Sequence, residues 1–205
     1  GTLDYVIVTD AAPIQNIWDG GGTVEFWLRP GLVAADLDRI MNKGDTAAWW
    51  LLRLLESGDT FQVEFQMSFD GAGNGIWKTT SYVLSRHVWS HVAIVYNSSA
   101  TTNDPAIYIN GVSVAVTETE TPIGTRLSDA TKDIQIGIRG NLLTSDIDAD
   151  FADIRLWDDT RTAAEVLDNY LTILVGNEAG LALYYICDEG SGVALDDETA
   201  NNNNG

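Results

Sequence analysis

Apolar and polar residues alternate in short runs along this chain, and glycine, asparagine, aspartate or proline separates the runs. That is the pattern of strands joined by tight turns in a sandwich or barrel. The cleanest run is Phe61 to Phe69, where Phe61, Val63, Phe65, Met67 and Phe69 share one face and Gln62, Glu64, Gln66 and Ser68 the other. One face is expected against a core and the other in water. Further strands are expected over residues 3–8, 23–28, 39–43, 49–55, 76–83, 92–96, 106–109, 112–116, 134–138 and 181–186, with Arg29-Pro30-Gly31 ending the second. Val92 to Tyr96 is apolar throughout, as in a strand buried on both faces. Asn110-Gly111 is a type I′ hairpin signal, because both central residues of that turn need positive φ.

One segment breaks the rhythm. From Phe151 to Tyr170 an alternating strand gives way to the single convincing helix, near residues 162–171. Period two puts Ala152, Ile154 and Leu156 on one face of the strand and Phe151, Asp153, Arg155 and Trp157 on the other. Thr162 and Glu165 then form a capping box, in which hydroxyl and carboxylate satisfy early helix amides. Val166, Leu167 and Tyr170 supply the buried side of the helix.

Composition narrows the class. At 205 residues, 45% of them hydrophobic and with seven Trp and seven Tyr, the chain has enough apolar side chains for a full core and is expected to form one domain over residues 1–205. Cys187 is the only cysteine, which excludes an intramolecular disulfide and a thiolate zinc framework and leaves it as an apolar filler. No stretch is apolar for the roughly 18 residues that a membrane span needs. Gly1 in place of Met suggests a segment excised from a longer chain, so other domains of a parent protein are expected partners. Thirty acidic against 11 basic residues give a formal charge of −19. Such a field repels phosphate backbones and anionic membrane surfaces, so neither nucleic-acid binding nor membrane insertion is expected.

Several segments together resemble the concanavalin A-like, laminin G-like jelly-roll family. They are Asp4-Tyr5-Val6, Thr23-Val24-Glu25-Phe26-Trp27-Leu28-Arg29-Pro30, Lys43-Gly44-Asp45 and Trp89-Ser90-His91-Val92-Ala93. Tyr108-Ile109-Asn110-Gly111-Val112, Ile136-Gly137, Asp153-Ile154-Arg155-Leu156-Trp157 and Gly180-Leu181 through Gly192 complete the set. The resemblance implies an all-β fold, an antiparallel sandwich of two curved sheets with the helix at its periphery. It also implies a carbohydrate- or surface-binding module, of the kind appended to extracellular enzymes, adhesins or phage tail and capsid proteins, and often carrying calcium. Two departures stand out: Ala152-Asp153 where relatives usually have Asp-Glu, and Ile147-Asp148-Ala149 where they usually have Phe-Asp-Gly.

Catalysis is the weaker expectation. Glycoside hydrolysis needs two carboxylates flanking the scissile bond, and the E-x-D-x-x-E strand of the glucanase relatives is absent. Glu118 and Glu120 share a strand face but lead into Pro122 and read as a solvated edge. His87 and His91 bracket Trp89 without a third metal ligand. Calcium is expected, if anywhere, as a structural ion joining the chain ends through Asp4 and Asp197, with Asn201 in the turn where relatives carry an Asp-x-x-Gly-Asn-Gly-Asn sequence. Sugar recognition needs a flat aromatic platform flanked by amides and carboxylates. Trp27, Trp89 and Trp157 lie in the family segments and read as core. Trp18, Trp50 and Trp77 are the expected platforms, with Asp70 and Asn74 beside them. The leading expectation is a non-catalytic module that binds a glycan or cell-surface polysaccharide outside the cell, on a cell surface or on a virion. A structural or assembly domain of a phage tail, capsid or surface appendage comes second, and a glycoside hydrolase third.

Overall fold

The computed structural model describes residues 5–32, 39–44, 46–139 and 142–205, with backbone alone over 142–145. The first strands in chain order are β1 (Val6–Val8), β2 (Gly22–Pro30), β3 (Arg39–Lys43), β4 (Trp50–Ser57), β5 (Thr60–Met67), β6 (Gly75–Thr79), β7 (Leu84–Ser85) and β8 (Ser90–Tyr96). There follow β9 (Ala106–Ile109), β10 (Val112–Val114), β11 (Val116–Glu120), β12 (Ile134–Ile136), β13 (Ile138–Arg139), β14 (Leu142–Asp146), β15 (Ala149–Trp157), α1 (Ala163–Asn169) and β16 (Leu181–Tyr185). The larger sheet runs β1-β12-β3-β4-β5-β6-β11, with β7 on β5, and the smaller runs β10-β9-β8-β2-β15-β16. Every pairing within them is antiparallel.

The two sheets close on one core. Val24, Phe26 and Leu28 of β2 and Val92 and Ile94 of β8 meet Leu52, Leu54, Val63 and Phe65 of the other sheet, all at 1% exposure or less. This is the all-β sandwich expected, with the expected hairpin at Asn110 (φ 50) and Gly111 (φ 76). Residues 1–4 lie outside the described residues, so the expected start of the first strand at Leu3 does too.

Four local departures have clear causes. The expected strand 112–116 divides at Ala115: Val114 pairs with Ile107 in one sheet and Val116 with Thr79 in the other, so the chain crosses the sandwich edge there. The expected strand 134–138 divides at Gly137 (φ 80), whose N–H donates to Ile40 O at 2.9 Å. In β15 a bulge falls between Ala152, opposite Trp27, and Arg155, opposite Glu25, and Asp153 takes φ 53. One extra residue reverses the parity of everything before it. Phe151 therefore packs on the core side with Ile154 and Leu156, not opposite them. Finally, the polar face of β5 is not wet: Gln62 and Glu64 are buried, because Gln62 donates to Thr79 O at 2.6 Å and Glu64 accepts from Arg53 and Gln66.

Helix α1 starts where the capping box places it. Thr162 Oγ1 accepts from Glu165 N at 3.2 Å, and Thr162 N donates to the Glu165 carboxylate at 2.7 Å. It docks on the outer face of the smaller sheet through Val166, which meets Ala93 and Tyr108. Leu167, expected on the buried side, is half exposed, since a seven-residue helix has room for one buried turn only.

Candidate functional site

The expected platform indoles are core residues. Trp18, Trp50 and Trp77 have no exposed surface. Trp18 packs edge-on to Trp50 with ring centroids 5.5 Å apart, Trp77 stacks on Phe65 at 5.8 Å, and Tyr96 touches both Trp18 and Trp77. None can meet a sugar. Asp70 is exposed, but its carboxylate accepts from Thr125 N at 2.7 Å, and Asn74 N donates to Glu120 at 2.6 Å. These two residues tie their turn to the 120–125 segment.

Of the expected calcium ligands, Asp197 has no lone pair to offer an ion. Asp197 is buried and accepts four hydrogen bonds, from Tyr184 N, Thr199 N, Thr199 Oγ1 and Asn203 N, at 2.8 to 3.1 Å. A carboxylate has about four lone-pair sites, so none is left over. The Asn201 amide donates to Ala182 O at 3.0 Å, and Asp4 lies outside the described residues. Elsewhere the role of a cation is taken by side chains. Lys43 Nζ, fully buried, sits 2.9 Å from Asp10 Oδ1, 3.0 Å from Ile14 O and 3.8 Å from Asp129 Oδ1. Among the described residues no group of three or more His, Cys, Asp or Glu is set to hold a metal.

Three family-segment residues form a buried charge cluster beneath α1. Glu25 on β2, His91 on β8 and Arg155 on β15 share the outer face of the smaller sheet, each at 1% exposure or less. Glu25 accepts from Trp157 Nε1 at 2.8 Å and lies 3.4 Å from both Arg155 Nη1 and His91 Nε2. Burial alone would raise the Glu25 pKa, but the neighbouring His91 ring, the charge of Arg155 and the Trp157 hydrogen bond outweigh it and hold the carboxyl below its ordinary range. His87, by contrast, is exposed in a turn at φ 59, so the two histidines do not share a strand face.

Of the seven tryptophans, Trp89 is the one that is exposed, at 40%. It falls on the same face as His91, but where His91 lies against the Tyr170 ring, Trp89 stands at the end of the sheet in the turn before β8. His87 N donates to Pro30 O at 2.7 Å and Val88 N to Ser85 O at 3.2 Å, which fixes that turn. The Arg29 guanidinium lies 5.5 Å from the Trp89 ring centroid, and its Nη2 is 2.6 Å from Asp150 Oδ2 on the adjacent strand. Trp89, Arg29 and Asp150 thus form a row on the outer face, with an indole, a donor fork and an acceptor side by side. The Arg29–Asp150 pair is about half exposed, so it adds little to stability and can exchange partners with ligand hydroxyls. Sequence reasoning had assigned Trp89 to the core. Its shared parity with the buried His91 gave no signal of exposure.

A family model for laminin G domains, described as the concanavalin A-like lectin/glucanases superfamily, matches residues 1–167. The chain belongs to this superfamily. A structure from Bacteroides ovatus ATCC 8483, named as a candidate carbohydrate binding protein, matches with a TM-score of 0.65 and 21% identity over 98% of this chain and 56% of its own. The binding domain of botulinum neurotoxin serotype C1 matches with a TM-score of 0.60 and 17% identity over 84% of this chain and 42% of its own. The binding domain of botulinum neurotoxin DC, solved with rat synaptotagmin II, gives 0.61 and 17% over 84% and 41%. At such identities the likeness is one of fold, and the superfamily chain described here spans about half the length of these solved chains. No curated protein matches the sequence.

Proposed function

We propose that the chain is a non-catalytic binding module that recognises glycans on a surface or polysaccharide outside the cell. The observation that carries this is the row Trp89–Arg29–Asp150, an exposed indole set beside a donor and an acceptor on rigid strands. An indole covers the apolar face of a pyranose, while Arg29 and Asp150 pair with its hydroxyls. The charge of −19 disfavours anionic polysaccharides, so the ligand is a neutral glycan. The reading is supported by the candidate carbohydrate binding protein of the same fold. A glycan array tests it, run with and without chelator. Saturable, competable signals that vanish in Trp89→Ala are expected, with the fold intact by circular dichroism. Signals unchanged in Trp89→Ala, or no signal at all, refute it.

A second reading, an assembly domain of an appendage or surface protein, is favoured by one feature. Leu171, Ile173 and Val175 are each more than 70% exposed, and the segment carrying them is fastened on its other side, with Thr172 O accepting from Arg155 and Leu174 N donating to the Tyr184 hydroxyl. A fixed aliphatic ridge of this kind marks protein contact more than sugar contact.

A further inference from the structure

Behind Asp150, on the opposite face of β15, the described residues leave the sandwich open. A cavity of about 830 Å³ opens between the β1–β12 edge of the larger sheet and the β15–β16 edge of the smaller. Its floor is core: Ile136, Ile147 and Ile154 are each at most 6% exposed. Its mouth carries Tyr5, Ile7 and Val193, exposed at 41%, 44% and 104%. We propose that this cavity is a binding site for an uncharged apolar small molecule, separate from the Trp89 row and independent of it.

Charge argues for that class of ligand. The chain has 30 acidic and 11 basic side chains, yet none of the fifteen lining residues is one of them. At the wall, Leu195 and Gly205 exchange both main-chain hydrogen bonds, at 2.9 and 3.0 Å, and the Cys187 thiol donates to Tyr185 O at 3.8 Å. Burial pushes that thiol up to about 12, with the nearby Glu189 adding to the shift, so it stays neutral at physiological pH. Among the described lining residues no charged side chain offers a charged ligand a partner, and burying a charge without one is costly. The volume falls within the roughly 300–1,000 Å³ of small-molecule sites.

The test uses N-phenyl-1-naphthylamine, a neutral apolar fluorophore, titrated into the purified chain. Saturable one-to-one enhancement, displaced by 1-decanol and insensitive to salt, is expected. Ala149→Trp, which fills the cavity from β15, abolishes it, and Ile7→Asp at the exposed mouth weakens it at least tenfold without unfolding the chain. Enhancement that does not saturate, or that both variants retain, overturns the proposal. So does enhancement seen only when residues 1–4 are removed, since the chain would then be its own occupant.

Discussion

Arg155 offers the sharpest test of how this fold is held. Its guanidinium is fully buried, with Nη1 3.4 Å from Glu25 and 3.1 Å from Asn169 O, and Nη2 2.6 Å from Asp153 and 2.5 Å from Thr172 O. Burial works against the cation, but Glu25 and Asp153 overcompensate and raise its pKa, so it stays charged. Arg155→Met leaves the Glu25 carboxylate buried without its cation, and removing one partner of a buried pair costs about 3–5 kcal/mol. The Asn169 and Thr172 carbonyls also lose a donor, at about 1 kcal/mol each, and these terms overlap because the residues form one network. A net loss of about 5 kcal/mol is comparable with the whole stability of a marginal domain. Urea unfolding followed by tryptophan fluorescence reads it as a lower midpoint at unchanged slope. Pairing Arg155→Met with Glu25→Gln removes the orphaned charge, so the double variant should be more stable than the sum of the singles predicts, by about 1–3 kcal/mol. A single-variant loss under about 1 kcal/mol, or additivity of the two within about 0.5 kcal/mol, refutes the network. Hydrogen exchange should also quicken over residues 170–175 in Arg155→Met, because Arg155 holds that segment to the sheet.

Other parts of the structure give further expectations. Lys43→Met leaves Asp10 without its ammonium, while Asp129 keeps Arg126, and should cost about 3 kcal/mol, measured by the same unfolding curves. Both Glu25 and Asp10 titrate below their ordinary values of 4.5 and 3.8 in the folded chain, since hydrogen bonds and cations outweigh burial. Their contribution is therefore complete above about pH 5 and is lost as the pH falls through the folded values, so the melting temperature should drop below pH 4.5 and drop less in Glu25→Gln. Thr162→Ala removes the helix cap and should cost about 1 kcal/mol, seen as a shifted urea midpoint. Calcium should leave the wild-type melting temperature unchanged, because the Asp197 lone pairs are taken; a chelator-reversible rise would show an ion bound elsewhere.

Much of the architecture was legible in the sequence because it is locally encoded. Period-two alternation from Phe61 to Phe69, the Asn110-Gly111 turn and the Thr162–Glu165 box each need only neighbouring residues, and each forms where expected. The family segments carried the two-sheet fold as well. The site was another matter. Alternation says which residues share a face but not which face meets the core, and one bulge at Asp153 was enough to put Phe151 inside. Loop position made Trp18 and Trp77 look available, yet the facing sheet buries both, a contact between residues far apart in sequence. Trp89 and His91 lie two residues apart on the same face. Only the tertiary packing of the segment after α1, which places Tyr170 against His91 and stops short of Trp89, decides that one is core and the other meets water.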